Sequence, residues 1–210
     1  TMLADLTVKD FLDKVACSDP VPGGGSIAAL NGAIASALAA MVANLTIGKK
    51  GYELHEELMR HISGVALQQK GAFVEDIDRD SEAYDKVFAC FKMPKATDEE
   101  KAARSTAIQE ATKFAALVPM QVARNAYELM TVIMDVARLG NRNAVTDACV
   151  AMMSARSAVL GALMNVRINL GSLKDKEFVS KLQSEADELE HLACAKEKEL
   201  LDEINQELKV

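Results

Sequence analysis

From Pro20 to Gly48 the chain carries no charged residue, and eight alanines fall between Ala28 and Ala43. A segment with so little polarity and so few bulky side chains has few places in a fold. As a helix it is apolar all round, which suits the centre of a bundle, a subunit interface or a membrane. The membrane is set aside, because the segment opens on a Pro/Gly turn, carries Asn31, Asn44 and Thr46, and is mostly alanine. What remains is a helix that its neighbours approach closely. Half of all residues are apolar, aromatics are only 4% and tryptophan is absent, so the core must be built from Ala, Leu, Val and Met.

The other segments also read as helix. Thr7 caps a short helix over Val8 to Ala16, with Asp10 in a capping-box position. The alanine-rich helix runs from about Ser26, its expected N-cap, to Thr46, and Gly48-Lys49-Lys50-Gly51 ends it. A third helix covers Glu53 to Phe91, and Met93-Pro94-Lys95 breaks it. Thr97-Asp98-Glu99-Glu100 is a capping box opening a helix to Leu139, which should kink at Pro119. A fifth spans Ala144 to Leu170, and a charged amphipathic helix covers Glu177 to Leu208. No β-type alternation persists. The expectation is an all-α fold, one multi-helix bundle of long antiparallel helices over residues 1–210.

Composition removes several functions. A formal charge of −7 with no basic stretch gives nothing to track phosphates, so no nucleic-acid partner is expected. Cys17, Cys90, Cys149 and Cys194 are far apart and read as reduced thiols of a cytoplasmic protein. Thr1 before Met2 reads as a cloning remnant. His55, His61 and His191 form no HExxH. Only Glu188-Leu189-Glu190-His191 matches the Glu-x-x-His element of a di-iron bundle, which needs two, so no metal is expected. The glycine run is neither of the common nucleotide-binding patterns.

Three features carry chemistry. Pro22-Gly23-Gly24-Gly25-Ser26 offers a backbone free to take φ > 0, close approach, and unpaired amides at a helix start, where anions collect. It is equally a tight turn before a closely packed helix. On the third helix, Phe73, Ile77, Tyr84, Phe88 and Phe91 share a face at about 100° per residue, and Asp80 lies among them. Asp78, Arg79, Glu82, Asp85 and Lys86 point elsewhere. Desolvation would raise the Asp80 pKa and suit it to proton transfer, unless it is an edge carboxylate or paired with arginine. On the fifth helix, Asp147 and Asn165 are about five turns apart on one face, with Asn169 a turn beyond and small residues between. That groove is either a polar site or helix–helix packing with interhelical amide bonds.

Together these motifs resemble the cyclodeaminase/cyclohydrolase family of folate enzymes, the cyclodeaminase half of formiminotransferase-cyclodeaminase. The matching segments are PGGGSIAALNGAIASALAAMVANLTIGKK, DIDRDSEAYDKV, MPKATDEEKAAR, VP at 118–119, GNRNAVTDA at 140–148 and GALMNVRINL at 161–170. They occur in the family's order over nearly the whole chain. The resemblance implies an all-helical homodimer that acts on a reduced folate, with or without a polyglutamate tail, and without metal or redox cofactor. It implies that Asp80, the second Asp of D-x-D-x-E-A, is catalytic. The expected reaction is cyclisation of 5-formiminotetrahydrofolate to 5,10-methenyltetrahydrofolate with loss of ammonia. The alternatives are a methenyltetrahydrofolate cyclohydrolase and a non-catalytic helical binding module. The formiminotransferase half is not among the matching motifs, so a separate formiminotransferase is an expected partner. From the chemistry of the substrate, Gly23, Gly24, Gly25 and Ser26 are expected to line the pocket. Asn141, Asp147, Asn165 and Asn169 are expected to bond the pterin, and Lys49, Lys50 or an arginine the glutamate tail.

Overall fold

The structure is a computed structural model that describes residues 2–209; Thr1 lies outside them. The described residues form six α-helices and no strand: α1 (Val8–Ala16), α2 (Gly24–Asn44), α3 (Glu56–Phe91), α4 (Asp98–Leu139), α5 (Val145–Leu170) and α6 (Lys176–Glu207). Caps set several boundaries as the sequence suggests. The Thr7 side chain accepts from Asp10 N, and Thr97 and Glu100 complete a capping box. Asp175 caps α6 through Phe178 N.

The alanine-rich helix is the centre. α2 packs against α3 and α5 along its length and also touches α4. Ala29, Ala35, Ala39, Val42 and Ala43 are fully buried. Contacts pair Ser26 with Ile77 and Asn44 with Ser63, so α2 and α3 are antiparallel. Gly24 meets Asn165 and Ala28 meets Gly161, so α5 is antiparallel to α2 as well. Small side chains allow this proximity. By length and composition α2 and the stretch from Arg142 to Leu170 could each cross a membrane, yet half or more of each is buried inside the bundle.

α6 closes the outer side of α4 and α5 with a row of ion pairs. Arg124 meets Glu185, Arg138 meets Glu199 and Glu203, Arg156 meets Glu197, and Arg167 meets Asp187 and Glu190. These pairs are partly exposed, so each contributes modestly and together they fix the register of α6.

Two expectations change. Ser26 is not the N-cap: Gly23 is, with no side-chain cap, and Ser26 is fully buried one turn inside. The half of the aromatic stripe beyond Asp80 is not core, since Phe73 and Ile77 are buried while Tyr84, Phe88 and Phe91 are exposed. α2 begins opposite Asp80, so α3 outruns α2 there, while α4 still packs along it through Ala83, Val87 and Phe91. As expected, α4 continues through Pro119 to Leu139.

The tightest packing predicts its own test. A methyl on Gly32 would stand 2.7 Å from the ring of Phe73, which is fully buried and has no open side to move toward. Gly32→Ala adds helix propensity of about 1 kcal/mol, but overpacking costs about 1–3 kcal/mol. The expected balance is a Tm lower by a few degrees; a Tm raised by the substitution contradicts this packing.

Candidate active site

Asp80 sits on α3 opposite the first turn of α2. A methyl built on Gly25 would overlap all three atoms of its carboxyl group, so only glycine leaves room there. The neighbouring glycines have similar reasons. A methyl on Gly23 would lie 3.1 Å from Pro20 O, and one on Gly24 3.3 Å from the Asn165 amide nitrogen. None of the three has positive φ; that conformation belongs to Gly48 and Gly51. The glycine run is therefore explained by close approach.

Ser26 holds the two helices together behind this contact. Its hydroxyl donates to Ile77 O at 2.7 Å and lies 3.1 Å from Ser81 Oγ. Both partners flank Asp80 on α3, so the carboxyl is fixed beside the positive end of α2. Burial raises the Asp80 pKa above the usual carboxylate range; hydrogen bonding from Ser26, backbone first, opposes the rise.

A cavity of about 290 Å³ opens in front of Asp80, lined also by Gly23, Gly24, Gly25, Asn165 and Asn169. The last two come from the C-terminal end of α5. Asn165 donates to Gly161 O at 2.9 Å. Asn169 donates to Asn165 O at 2.8 Å and across to Ala115 O at 3.2 Å. Ala115 O is free because Pro119, four residues on, has no N–H to give it. The proline in α4 thus creates the acceptor that anchors a cavity side chain of α5.

The bundle does not bring all the expected residues together. Asn141 is buried near the far end of α2, where its Nδ2 donates to Leu45 O and its Oδ1 accepts from Asn143 N. Lys49 and Lys50 are exposed beyond that same end, about 30 Å from Gly24 at helical rise. Asp147 lies in the first turn of α5, also remote from Asp80. Within one chain these four do not reach the cavity.

Two buried carboxylates escaped the sequence reading, which directed only Asp80 inward. Asp78 accepts from Leu3 N at 2.6 Å and Ala4 N at 3.2 Å, tying the N-terminal turn to α3. Its partner is 75 residues away, so no local signal shows it. Asp76 is one turn before Asp80 and 3.6 Å from Arg79; its i, i+4 spacing from Asp80 was a legible signal. Burial pushes Asp76 up to about 6, with Arg79 opposing. A carboxyl protonated more readily when folded stabilises the fold below its unfolded pKa, and that contribution is lost as pH rises through the folded one. Stability should fall from pH about 4 to about 6 through this group. Asp76→Asn should remove that slope, so its Tm advantage over wild type grows across the interval; a pH-independent difference contradicts the assignment. Among the described residues no cluster of three or more His, Cys, Asp or Glu side chains is placed to hold a metal ion.

This geometry defines a class: an all-helical protein with a desolvated carboxyl facing a glycine-lined helix start. The comparisons specify it. The family described as formiminotransferase-cyclodeaminase matches residues 7–188, and the chain belongs to that family. It is 40% identical over 192 residues to methenyltetrahydrofolate cyclohydrolase of Methylorubrum extorquens, covering 90% of each chain. It is 31% identical to formimidoyltransferase-cyclodeaminase of Rattus norvegicus, of which the match spans 33%. The crystal structure of formiminotetrahydrofolate cyclodeaminase from Thermotoga maritima superposes with a TM-score of 0.87 at 31% identity, over 98% of both chains.

Proposed function

We propose that the cavity binds a reduced folate and that Asp80 moves protons while the one-carbon bridge between N5 and N10 opens and closes. The observation that carries this reading is Asp80: a carboxyl raised by burial, fixed beside a helix start, at the wall of a cavity. The first reaction is hydrolysis of 5,10-methenyltetrahydrofolate to 10-formyltetrahydrofolate, favoured by the greater sequence similarity to the Methylorubrum enzyme.

Water adds to the bridging carbon of the cationic methenyl group, and the Asp80 carboxylate takes one proton from it. A raised pKa makes that carboxylate a better base. The tetrahedral carbon then releases N5, which takes the proton back from Asp80. The remaining hydroxyl proton leaves to solvent as the formyl group forms on N10. Asp80 ends as it began, with one proton released overall. Asn165 and Asn169 offer amide oxygens to the N–H groups of the pterin. Confinement holds the reacting atoms together, the proximity contribution to rate.

The second reading is cyclisation of 5-formiminotetrahydrofolate, favoured by the Thermotoga fold. There N10 adds to the formimino carbon and a protonated Asp80 supplies the proton with which ammonia leaves. It requires an enzyme that delivers the formimino group. Absorbance of the methenyl product separates the two: it rises with ammonia release from the formimino substrate, and falls when the methenyl compound is hydrolysed. Folded protein inert on both, and without affinity for folates, leaves the binding-module reading.

A second copy belongs to this proposal. Ile34 and Met41 of α2, Leu45 just after it, and Val150, Met153, Met164 and Ile168 of the adjoining α5 are exposed and uncharged. A monomer would leave this apolar face in water. An isologous dimer would cover it; Ile168 also lines the cavity, which supports a site at the edge of that interface. Light scattering should give a dimer, and Ile34→Glu with Met164→Glu a monomer; a monomeric wild type removes the proposal. Four cysteines without a disulfide fit the reducing cytosol.

A further inference from the structure

Hydrolysis of the methenyl bridge releases a proton, and the folate that reacts fills the cavity of about 290 Å³ in front of Asp80. A bound substrate expels water from such a site. The mouth through which Asp80 exchanges protons with solvent is then closed while the bridge reacts. Behind the carboxyl, two hydroxyls offer another way out.

The Ser26 hydroxyl is fully buried among three oxygen partners: Ile77 O at 2.7 Å, Ser81 Oγ at 3.1 Å and the Asp80 carboxyl, to which it hydrogen-bonds. A hydroxyl donates to one partner and accepts from others. Turned from Ile77 O toward Ser81 Oγ, Ser26 accepts from a protonated Asp80 and donates to Ser81. The contact between the two serines permits this, because either hydroxyl can be its donor. Ser81 is 8% exposed and lines a different cavity, of about 480 Å³, to which Asp80 does not contribute. The exposed residues Asp19, Glu82 and Asp85 share that wall, so this cavity is open to water. The two hydroxyls thus cross the α2–α3 contact from one cavity to the other. No charge interrupts them from α2, which has none. Asp76 is engaged by Arg79, whose guanidinium lies over Phe114 of α4.

We propose that Ser26 and Ser81 form a proton relay that carries the proton of hydrolysis from Asp80 to water in the second cavity while the folate stays bound. This rests on the folate reading above. Once N5 has taken its proton from Asp80, the carboxylate accepts the proton of the remaining hydroxyl as the formyl carbonyl forms. Asp80 passes it to Ser26 Oγ, Ser26 passes its own to Ser81 Oγ, and Ser81 passes its own to water. One proton enters the relay and one leaves, and no other bond changes. Both hydroxyls turn back before the next turnover.

The test is a single turnover of 5,10-methenyltetrahydrofolate with the full-length protein in excess, so that product stays bound. Stopped flow follows the methenyl absorbance and, in weak buffer, a pH indicator. Wild type should release one proton per folate in step with the absorbance decay. Ser81→Thr and Ser81→Val have the same shape and differ in the hydroxyl. With Ser81→Thr the two signals should stay in step. With Ser81→Val the absorbance should still decay, but the proton should appear about tenfold later or more, at the pace of product release. A purely structural role for Ser81 would not separate the two signals. Proton release that lags in wild type, or that stays in step in Ser81→Val, overturns the relay and leaves the folate reading standing. Methenyl absorbance that decays at the uncatalysed rate with wild type overturns the hydrolysis reading, and the relay with it.

Discussion

Asp80→Asn should lose about 10²- to 10⁴-fold in turnover, the range carried by a positioned proton-transfer group. Asparagine keeps the shape and removes the proton that the reaction passes back and forth. Its effect on stability should have the opposite sign. Asp80 has its pKa raised by burial, so the fold bears a cost for its charge at neutral pH, and a neutral amide removes that cost. The variant should be as stable as wild type at neutral pH, or more so, with unchanged helical circular dichroism. Near-wild-type turnover, or an inactive variant that has also unfolded, contradicts the assignment. The comparison is informative because loss of activity through unfolding and loss through chemistry move Tm differently.

Gly25→Ala should be almost as damaging to activity while leaving the fold intact. The added methyl falls on the Asp80 carboxyl, the end of a short side chain at a cavity, so the carboxyl can rotate away. Alanine also gains up to about 1 kcal/mol of helix propensity over glycine. The expected variant is folded, of similar Tm, and reduced in turnover by about 10²-fold or more because the proton-transfer group is displaced. Placed on the Asp80→Asn background, Gly25→Ala should cost little further rate, since both act on one group. Additive losses would mean that Gly25 acts through something other than Asp80. Gly24→Ala is the control: its methyl would meet the Asn165 amide at 3.3 Å, and a milder effect is expected.

These two residues also show what the sequence made legible. Asp80 was readable because a helix repeats every 3.6 residues, and a carboxylate in phase with Phe73 and Ile77 must turn toward the same side. The helix order was readable from local chemistry, as at the Thr97–Glu100 box. Gly25 was readable as a site of close approach, but not what approaches it: a carboxyl from 55 positions later. Ser26 fits a helix cap by type, yet its partners are Ile77 and Ser81 on another helix. Pro119 was readable as a disturbance of α4, but not as the source of the acceptor that Asn169 bonds at Ala115. In each case residue type fixed the local capacity, while a distant partner fixed its use. Lys49, Lys50, Asn141 and Asp147 mark the same boundary, because shared motifs do not give distances between helix ends.

The central claim is that a folate bridge reacts at Asp80. The most direct measurement is the near-ultraviolet absorbance of 5,10-methenyltetrahydrofolate mixed with wild type and with Asp80→Asn, each shown to be folded. The account predicts decay accelerated by wild type and returned to the uncatalysed rate by the substitution. Decay at the uncatalysed rate with both proteins, and no product from 5-formiminotetrahydrofolate, would contradict it.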